Sequence, residues 1–374
     1  MTYNSNPIRA RDLGLDLPGL PGAFNAITDV PGLKVGMTTI IENTPRSGRP
    51  KPARTGVTAI LPRGAEGDLK PVWAGFHRFN GNGEMTGTHW IADGGYFLGP
   101  VLLTNTHSVG TAHQAAIRWM LEKYPDAFTG KTPLWLMPVV SETFDGFLND
   151  INGLHVTESD VCAALESATG GQVIEGNSGG GTGMICYEYK GGTGTSSRQL
   201  EIDGKMHTVG VLVQANHGIR DWMNVLGAPV GRHLREDRIF LDTGERGSIV
   251  VVIATDIPMA PHQLNRLARR GSLGIGRGGT NGGNSSGDIF LAFSTANERP
   301  LPQLTAARYQ IDMINDDLFD PIYQAAVEAT EEAVLNAMVA ATDMGGTEFD
   351  IALVKSVDLS ALIKVVGQYG RLKT

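Results

Sequence analysis

A single serine marks the boundary between a polar, glycine-containing run and a strongly apolar run. Residues 244–247 read GERG, Ser248 follows, and residues 249–253 are isoleucine and valine only. An apolar run of this kind is typical of a strand that is covered on both faces. A serine there can be an ordinary loop residue at the start of a strand. It also has the setting of a self-cleaving N-terminal nucleophile, because glycine at position 247 leaves the preceding carbonyl unshielded and adopts strained backbone geometry at little cost.

The nucleophile hypothesis gives Ser248 a base of its own. Its Oγ would attack the Gly247 carbonyl, the acyl group would move from nitrogen to oxygen, and water would release a new amino terminus. An α-amino group has a pKa of about 7.7–8.0, so roughly one in ten is neutral at pH 7, against about one in 2,500 for a lysine near pKa 10.4. That difference is worth about 3.5 kcal/mol, and it favours the amine as the activating group.

Other polar residues also follow or precede apolar runs. Asn216 ends the run TVGVLVQAN, and its amide could donate to a developing oxyanion. Ser286 and Asp288 stand two positions apart before IFLAF and therefore point to one face, where they could orient the new ammonium. Glu142 follows a third apolar run. Each could equally be a turn or cap residue, and the working base, the amine or Ser286–Asp288, stays open.

Three other motifs lack the context that their chemistry needs. Residues 176–180 fit G-x-S-x-G, but more glycines and a predicted strand, MICYEY, follow where a nucleophile elbow needs a helix. We interpret this stretch as a close-packed glycine loop. Residues 274–279 fit G-x-G-x-x-G but follow a predicted helix instead of a strand, so no dinucleotide site is expected. The nine histidines form no metal-binding pair, and we expect neither a metal nor another cofactor.

The elements that must position these residues alternate between strands and helices. The apolar runs predict strands at 56–62, 133–140, 208–216, 248–256 and 288–295. Helices are predicted to begin after Ser108, after Thr157 with Asp160 in a capping box, at Pro261 and at Asp320. Elements in this order favour an α/β protein in which helices cover packed sheets.

Charge and composition limit the partners. The 374 residues carry a net charge of −8 without a long basic run, which argues against nucleic acid and anionic membranes. The first residues contain no apolar signal-peptide core, and no run approaches about 18 apolar residues. These features predict a cytoplasmic protein. Cys162 and Cys186, without CxxC spacing, are predicted to be buried thiols.

The ordered set of these motifs resembles the L-aminopeptidase/D-Ala-esterase/amidase (DmpA) family, which includes the β-peptidyl aminopeptidases. The likeness spans roughly residues 8 to 342. It is carried by RARDLGLDLPGLPGAFNAITDVPGLKVG, FNGNGEMTG, PVVSETFDGFLNDING, EGNSGGGTGMICYEYKGGTGTSSR, VGVLVQANHG, GSIVVVIATDIPMAPHQLNRLARR, SSGDIFLAFST and EATEEAVLNAM.

The resemblance implies a four-layer αββα sandwich, shared with ornithine acetyltransferases, formed by one domain over 1–374. It implies self-cleavage into an α chain, 1–247, and a β chain, 248–374, and assembly of four αβ pairs. Substrates would be short peptides, amino-acid amides or esters with a free amino group, and in one branch β-peptides. No metal would be needed.

The family's functional residues match positions of this chain one by one. Ser248 matches the nucleophile, Asn216 the oxyanion donor and Ser286 with Asp288 the supporting pair. Glu142 matches the carboxylate that receives the substrate amine.

Two positions depart from relatives. β-Peptidyl aminopeptidases carry glutamate where this chain has Asp288, and the shorter side chain changes the reach to the amine. Phe144 stands where some relatives have a tyrosine whose hydroxyl assists the oxyanion. Two alternatives to the aminopeptidase stay open: an acyltransferase resembling the ornithine acetyltransferases, which use a threonine nucleophile, and a non-catalytic scaffold that is never cut.

Overall fold

The described part of the chain contains two large β-sheets, two separate two-stranded ribbons and seven α-helices. The computed structural model describes residues 8–43, 52–129, 134–240, 244–245, 247–298, 307–346, 351 and 353–373. The strands are β1 Lys34–Glu42, β2 Ala53–Leu61, β3 Val72–Arg78, β4 Tyr96–Phe97, β5 Val101–Asn105, β6 Val139–Thr143, β7 Ile185–Cys186, β8 Tyr189–Lys190, β9 Gly192–Ile202, β10 Lys205–Asn216, β11 Ser248–Thr255, β12 Ile289–Ser294, β13 Met344–Gly345 and β14 Leu353–Val354. The helices are α1 Thr88–Gly94, α2 Val109–Lys123, α3 Glu158–Glu166, α4 Val230–His233, α5 Pro261–Arg277, α6 Phe319–Val339 and α7 Leu359–Gln368.

The two large sheets have different sizes and mixed strand directions. One has four strands in the order β1-β2-β5-β6, and the other has six in the order β4-β3-β12-β11-β10-β9. The pairs β5–β6 and β11–β12 are parallel, and the remaining pairs in these sheets are antiparallel. The pairs β7–β8 and β13–β14 form separate two-stranded ribbons.

Strand β11 explains why the central strands are apolar at every position. Val250 and Val252 belong to the core cluster between the two sheets, together with Leu103 and Val139 of the smaller sheet. The alternate residues, such as Val251, belong to a second cluster on the outer face of the six-stranded sheet. Since successive side chains of a strand point to opposite faces, a sheet covered on both faces needs apolar residues throughout.

Helices cover the outer face of each sheet. Leu264 of α5 and Ala333 of α6 pack on the six-stranded sheet, and the α6 backbone approaches so closely that a Cβ added at Gly194 would lie 2.0 Å from the Ala333 oxygen. Ala116 of α2 and Leu165 of α3 pack on the four-stranded sheet. The four layers are therefore helix, sheet, sheet and helix, and the predicted αββα sandwich is confirmed.

Most predicted elements are present, but two strand predictions are wrong. Of the predicted strand at 133–140, residue 133 lies outside the described residues. Between 134 and 140, only Val139 and Val140 lie in a strand, β6, because the chain is irregular from 134 to Pro138. The run MICYEY is not one strand but the tight hairpin β7–β8, since Tyr187 and Glu188 have φ of 51° and 62° and reverse the chain.

A buried ion cluster fastens the N-terminal segment to the outer helix layer. The Glu332 carboxylate on α6 accepts hydrogen bonds from Arg198 Nη2 at 2.7 Å, from Arg11 Nε at 2.8 Å and from Asn25 Nδ2 at 2.5 Å. Burial acts to raise the pKa of Glu332, but the two arginines outweigh it and hold this pKa below its usual value. The ionised form is therefore the one that stabilises the fold.

We predict that Glu332→Gln lowers the free energy of unfolding by about 3 kcal/mol, because it leaves buried arginine charge uncompensated. Since the folded-state pKa is lowered, this contribution is complete above the usual glutamate range and is lost as pH falls through the folded pKa. Denaturant unfolding at neutral and acid pH measures both effects. Exposed Glu201→Gln is the control, and equal stability of the two variants would contradict the prediction.

Candidate active site

Ser248 and Asn216 lie opposite each other at one end of the six-stranded sheet. Asn216 is the last residue of β10, Ser248 is the first residue of β11, and the antiparallel register pairs them directly. Both residues are buried. The chain leaves the sheet at Asn216 and re-enters it at Ser248 beside the same strand end.

The pair Ser286 and Asp288 supports the strand beside the serine. Ser248 Oγ accepts a hydrogen bond from the Gly287 N–H at 2.9 Å. Asp288 Oδ1 accepts from the Ile249 N–H at 3.1 Å and from the Ser286 hydroxyl. Gly287 therefore holds Ser248 Oγ, and Asp288, itself bound by Ser286, holds the backbone that follows it.

One oxygen of the Asp288 carboxylate accepts no hydrogen bond. Asp288 Oδ2 is buried and has no hydrogen-bond partner among the described residues. Burial raises the pKa of Asp288 to about 6, although the hydrogen bonds from Ser286 and from the Ile249 N–H favour the ionised form. A buried acceptor of this kind is suited to a cationic or proton-donating group placed beside it.

The chain just before Ser248 is held tightly on the Asn216 side. A Cβ added at Gly247 would lie 1.8 Å from the Asn216 carbonyl oxygen, so a side chain at this position has no room. Two residues earlier, the buried Glu245 carboxylate accepts from the Gly218 N–H at 2.6 Å and from the Gly283 N–H at 2.5 Å. These contacts link the loops that follow Asn216 and precede Ser286.

The Asn216 side chain is oriented by two backbone groups. Its Oδ1 accepts from the Ile185 N–H at 2.8 Å, and its Nδ2 donates to the Phe144 carbonyl at 3.0 Å. The second Nδ2 hydrogen is left for another acceptor. The Phe144 ring packs edge-on against Phe147 at 5.5 Å between centroids, so the contact of this residue with Asn216 is through its backbone carbonyl.

Glu142 comes from the opposite sheet. It lies on β6 and is buried; its Oε1 accepts from the Glu84 N–H at 2.9 Å, and its Oε2 accepts from the Thr106 hydroxyl. Burial raises the pKa of Glu142 above its usual value, against these two hydrogen bonds. A cation bound beside Glu142 would therefore stabilise the ionised form of this buried carboxylate.

A glycine contact brings Glu142 next to the serine loop. A Cβ added at Gly83 would lie 3.1 Å from the Gly287 oxygen and 3.4 Å from Glu142 Oε1. Because the Gly287 N–H binds Ser248 Oγ, Gly83 and Gly287 form a chain of contacts from the Glu142 carboxylate to the Ser248 hydroxyl. The structure thus brings together all of the predicted site residues, which are Glu142, Phe144, Asn216, Gly247, Ser248, Ser286 and Asp288.

Sequence analysis missed Gly287 and Glu245 as site residues. Gly287 acts through its backbone N–H, which carries no residue-specific signal, although its place between Ser286 and Asp288 could have indicated it. Glu245 accepts from two backbone N–H groups 27 and 38 positions away and from the Thr280 hydroxyl at 3.4 Å, and no local pattern reveals such distant partners.

The G-x-S-x-G and G-x-G-x-x-G matches lie outside the candidate active site. Ser178 is buried and donates to the Ile174 carbonyl at 2.9 Å, and a Cβ added at Gly180 would lie 2.1 Å from Gln214 Oε1, so the close-packed glycine loop is confirmed. Gly274 and Gly276 lie inside α5. Across the residues that the structure describes, no three His, Cys, Asp or Glu side chains could hold a metal ion together, and no helix is long and apolar enough to cross a membrane.

Comparisons with known proteins agree with this geometry. The family Peptidase family S58 matches residues 25–351. A Beta-peptidyl aminopeptidase BapA from Sphingosinicella microcystinivorans is 47% identical over 380 aligned positions, which cover 97% of this chain and 93% of the relative. The solved structure of an L-aminopeptidase D-Ala-esterase/amidase from Ochrobactrum anthropi, described as a prototype for the serine aminopeptidases with a variant of the Ntn hydrolase fold, superposes with a TM-score of 0.94.

That structure is 59% identical and covers 98% of this chain and 100% of its own. A β-aminopeptidase from a Burkholderia species gives a TM-score of 0.87 at 46% identity, covering 97% of this chain and 99% of its own. The predicted family and the predicted serine aminopeptidase/amidase class are confirmed by these matches. The chain therefore belongs to peptidase family S58.

Proposed function

We propose that the protein is a self-processing aminopeptidase/amidase that cuts its own chain between Gly247 and Ser248 and then uses the Ser248 hydroxyl as nucleophile. The observation that carries the proposal is the setting of Ser248 Oγ. It stands at the first residue of a buried strand, is held by the Gly287 N–H at 2.9 Å and faces Asn216 across the β10–β11 pair.

Self-cleavage begins when Ser248 Oγ attacks the Gly247 carbonyl carbon. The Asn216 carbonyl leaves no room for a side chain at position 247, so the Gly247 carbonyl carbon is not shielded by one, and the remaining Nδ2 hydrogen of Asn216 donates to the oxyanion that forms. The Gly247–Ser248 C–N bond then breaks as the Oγ proton passes to the Ser248 nitrogen, leaving an ester on Oγ and a free amine. Water hydrolyses the ester and leaves chains 1–247 and 248–374, which together form one αββα domain.

In turnover, the Ser248 amine is the base. It takes the Oγ proton as Oγ bonds to the substrate carbonyl carbon, and the resulting ammonium gives that proton to the leaving amine as the substrate C–N bond breaks. Water then attacks the acyl-enzyme, releasing the acid and restoring the hydroxyl. The free acceptor on Asp288 Oδ2 suits an ammonium beside Ser248, so Ser286–Asp288 supports the amine while the amine carries the proton.

Glu142 selects substrates with a free amino group. An ammonium about 4 Å from its carboxylate would gain about 4 kcal/mol of gross attraction at an effective dielectric of 20. The raised pKa of Glu142 fits this role, because the pocket is more favourable for the carboxylate once a cation is bound. Phe144 provides an apolar surface instead of a hydroxyl, so Asn216 and backbone N–H groups stabilise the oxyanion.

The proposed substrates are short peptides, amino-acid amides and esters with a free amine. The relatives named above as a β-peptidyl aminopeptidase and an L-aminopeptidase D-Ala-esterase/amidase suggest a panel of α- and β-amino-acid p-nitroanilides, in both stereochemical series, to establish the preference. Assembly of four αβ pairs and a cytoplasmic location are further parts of this proposal. Light scattering of the purified protein tests the assembly.

Ser248→Ala should leave the precursor as one chain near 39.9 kDa on a denaturing gel and should remove amidase activity, because both steps use the same oxygen. The native protein should give two bands. Processing that persists in Ser248→Ala would remove this residue from the mechanism, and transfer of the acyl group to an added amine in preference to water would indicate an acyltransferase.

Glu142→Gln should spare self-cleavage, which presents no free amine to this carboxylate, and should raise KM for amino-acid amides about tenfold or more. Exposed Glu122→Gln on α2 is the control. Steady-state kinetics with free and N-acetylated substrates measure the effect. Unchanged KM in Glu142→Gln, or equal turnover of free and blocked substrates by the native protein, would contradict the ammonium site.

Gly287→Ala should slow both self-cleavage and turnover about tenfold or more, since displacing the N–H from Ser248 Oγ disturbs the attack geometry. A Cβ there would lie 2.1 Å from the Asn82 oxygen, so the backbone must shift. Gly276→Ala, whose Cβ would meet nothing within 4 Å, should match the native protein in both rates. Native rates in Gly287→Ala would show that this N–H is dispensable.

A further inference from the structure

Lys190 carries a buried ammonium group that the proposed reaction does not use. It ends β8, its side chain is fully buried, and its Nζ donates to three backbone carbonyls: Gly191 at 2.8 Å, Met184 at 2.9 Å and Gly181 at 3.3 Å. Among the described residues, no carboxylate lies within 4 Å of it. Burial lowers the pKa of Lys190 to about 7. The three carbonyl acceptors match the three N–H donors of the protonated form. A buried cation without a counter-ion is costly, so this arrangement calls for an explanation beyond packing.

The three carbonyls that bind Lys190 lie at the base of the β7–β8 hairpin and in the turn that precedes it. Met184 and Gly191 flank the β7–β8 hairpin, and the Gly191 N–H also donates to the Met184 carbonyl at 2.8 Å. Gly181 lies in the glycine-rich turn just before the hairpin. The ammonium therefore fixes the base of the hairpin against that turn.

A single peptide group connects the ammonium to Asn216. The peptide unit between Met184 and Ile185 accepts from Lys190 Nζ through its carbonyl, at 2.9 Å, and donates to Asn216 Oδ1 through its N–H, at 2.8 Å. The unit is planar, so fixing its oxygen also fixes its N–H. A cation on the carbonyl also strengthens the N–H as a donor, because hydrogen bonds in a chain polarise one another.

The N–H of Ile185 decides which way the Asn216 amide faces. With this donor on one side and the Phe144 carbonyl on the other, only one orientation satisfies both backbone groups. A flipped amide would place Nδ2 against the Ile185 N–H and Oδ1 against the Phe144 oxygen, and both contacts would be repulsive.

We propose that Lys190 is a positioning residue for the oxyanion donor: it acts through the Met184–Ile185 peptide to hold the Asn216 amide with its Nδ2 towards the reacting carbonyl. The proposal rests on the proposed role of Asn216. Lys190 itself touches neither substrate nor nucleophile.

A double-mutant cycle tests this coupling. Lys190→Met keeps the apolar stem and removes the three donors, and it should lower both the rate of self-cleavage and kcat about tenfold or more, with KM within about twofold because Glu142 is untouched. In the Asn216→Ala background, the same substitution should have no further effect on the residual rates. Equal losses in both backgrounds, or no loss in the native background, would overturn the proposal. Exposed Lys205→Met is the control.

A second readout does not depend on activity. In Ser248→Ala protein labelled with 15N-asparagine, the Asn216 side-chain amide is assigned by its absence from a spectrum of the Asn216→Ala variant. Adding Lys190→Met should shift this signal and speed its hydrogen exchange about tenfold or more, since one of its two fixed partners is loosened. An unchanged signal would overturn the coupling.

This readout also separates the two hypotheses. If the native protein neither cuts itself nor hydrolyses amides, the proposed function fails while the amide signal still tests Lys190. If Lys190→Met does not fold, Lys190→Gln, which keeps an NH2 donor, replaces it, with an intermediate shift expected and an unchanged signal again contradicting the proposal.

Discussion

The antiparallel register of β10 and β11 is the constraint on which the rest of the site depends. It pairs Asn216 with Ser248 and presses Gly247 against the Asn216 carbonyl, where a Cβ would lie only 1.8 Å away. A one-residue slip would turn Ser248 to the other face of the sheet and break this arrangement. Hydrophobicity alone does not prevent such a slip, because both faces of these strands are apolar. The close packing of individual side chains in the core between the sheets and in the core under the helices resists it.

The two sheets contribute different chemistry to the same edge. The six-stranded sheet supplies the hydroxyl, the amide and the Ser286–Asp288 pair, whereas the four-stranded sheet supplies Glu142 and the Phe144 carbonyl. Burial raises the pKa of both carboxylates, Glu142 and Asp288, and each is suited to an adjacent cation. We assign the substrate amine to Glu142 and the Ser248 amine to Asp288. In both places, a buried carboxylate with a raised pKa is stabilised by a neighbouring ammonium group.

Sequence patterns revealed the residues whose neighbours are local. The Ser248 boundary lies between GERG and a continuous apolar run, and the Thr157–Asp160 capping box opens α3 as predicted. Patterns of hydrophobicity misplaced the strand at 133–140 and merged the β7–β8 hairpin into one strand, because local apolar content does not reveal where a backbone turns. Lys190 gave no signal at all. Its partners are backbone carbonyls, and every residue type has one.

Intact mass spectrometry of freshly purified, fully active protein tests the central claim most directly. The account predicts two masses that correspond to chains 1–247 and 248–374, with a free amine on Ser248, and activity in proportion to the cut fraction. A single uncut mass in material that hydrolyses amino-acid amides at full rate would contradict it.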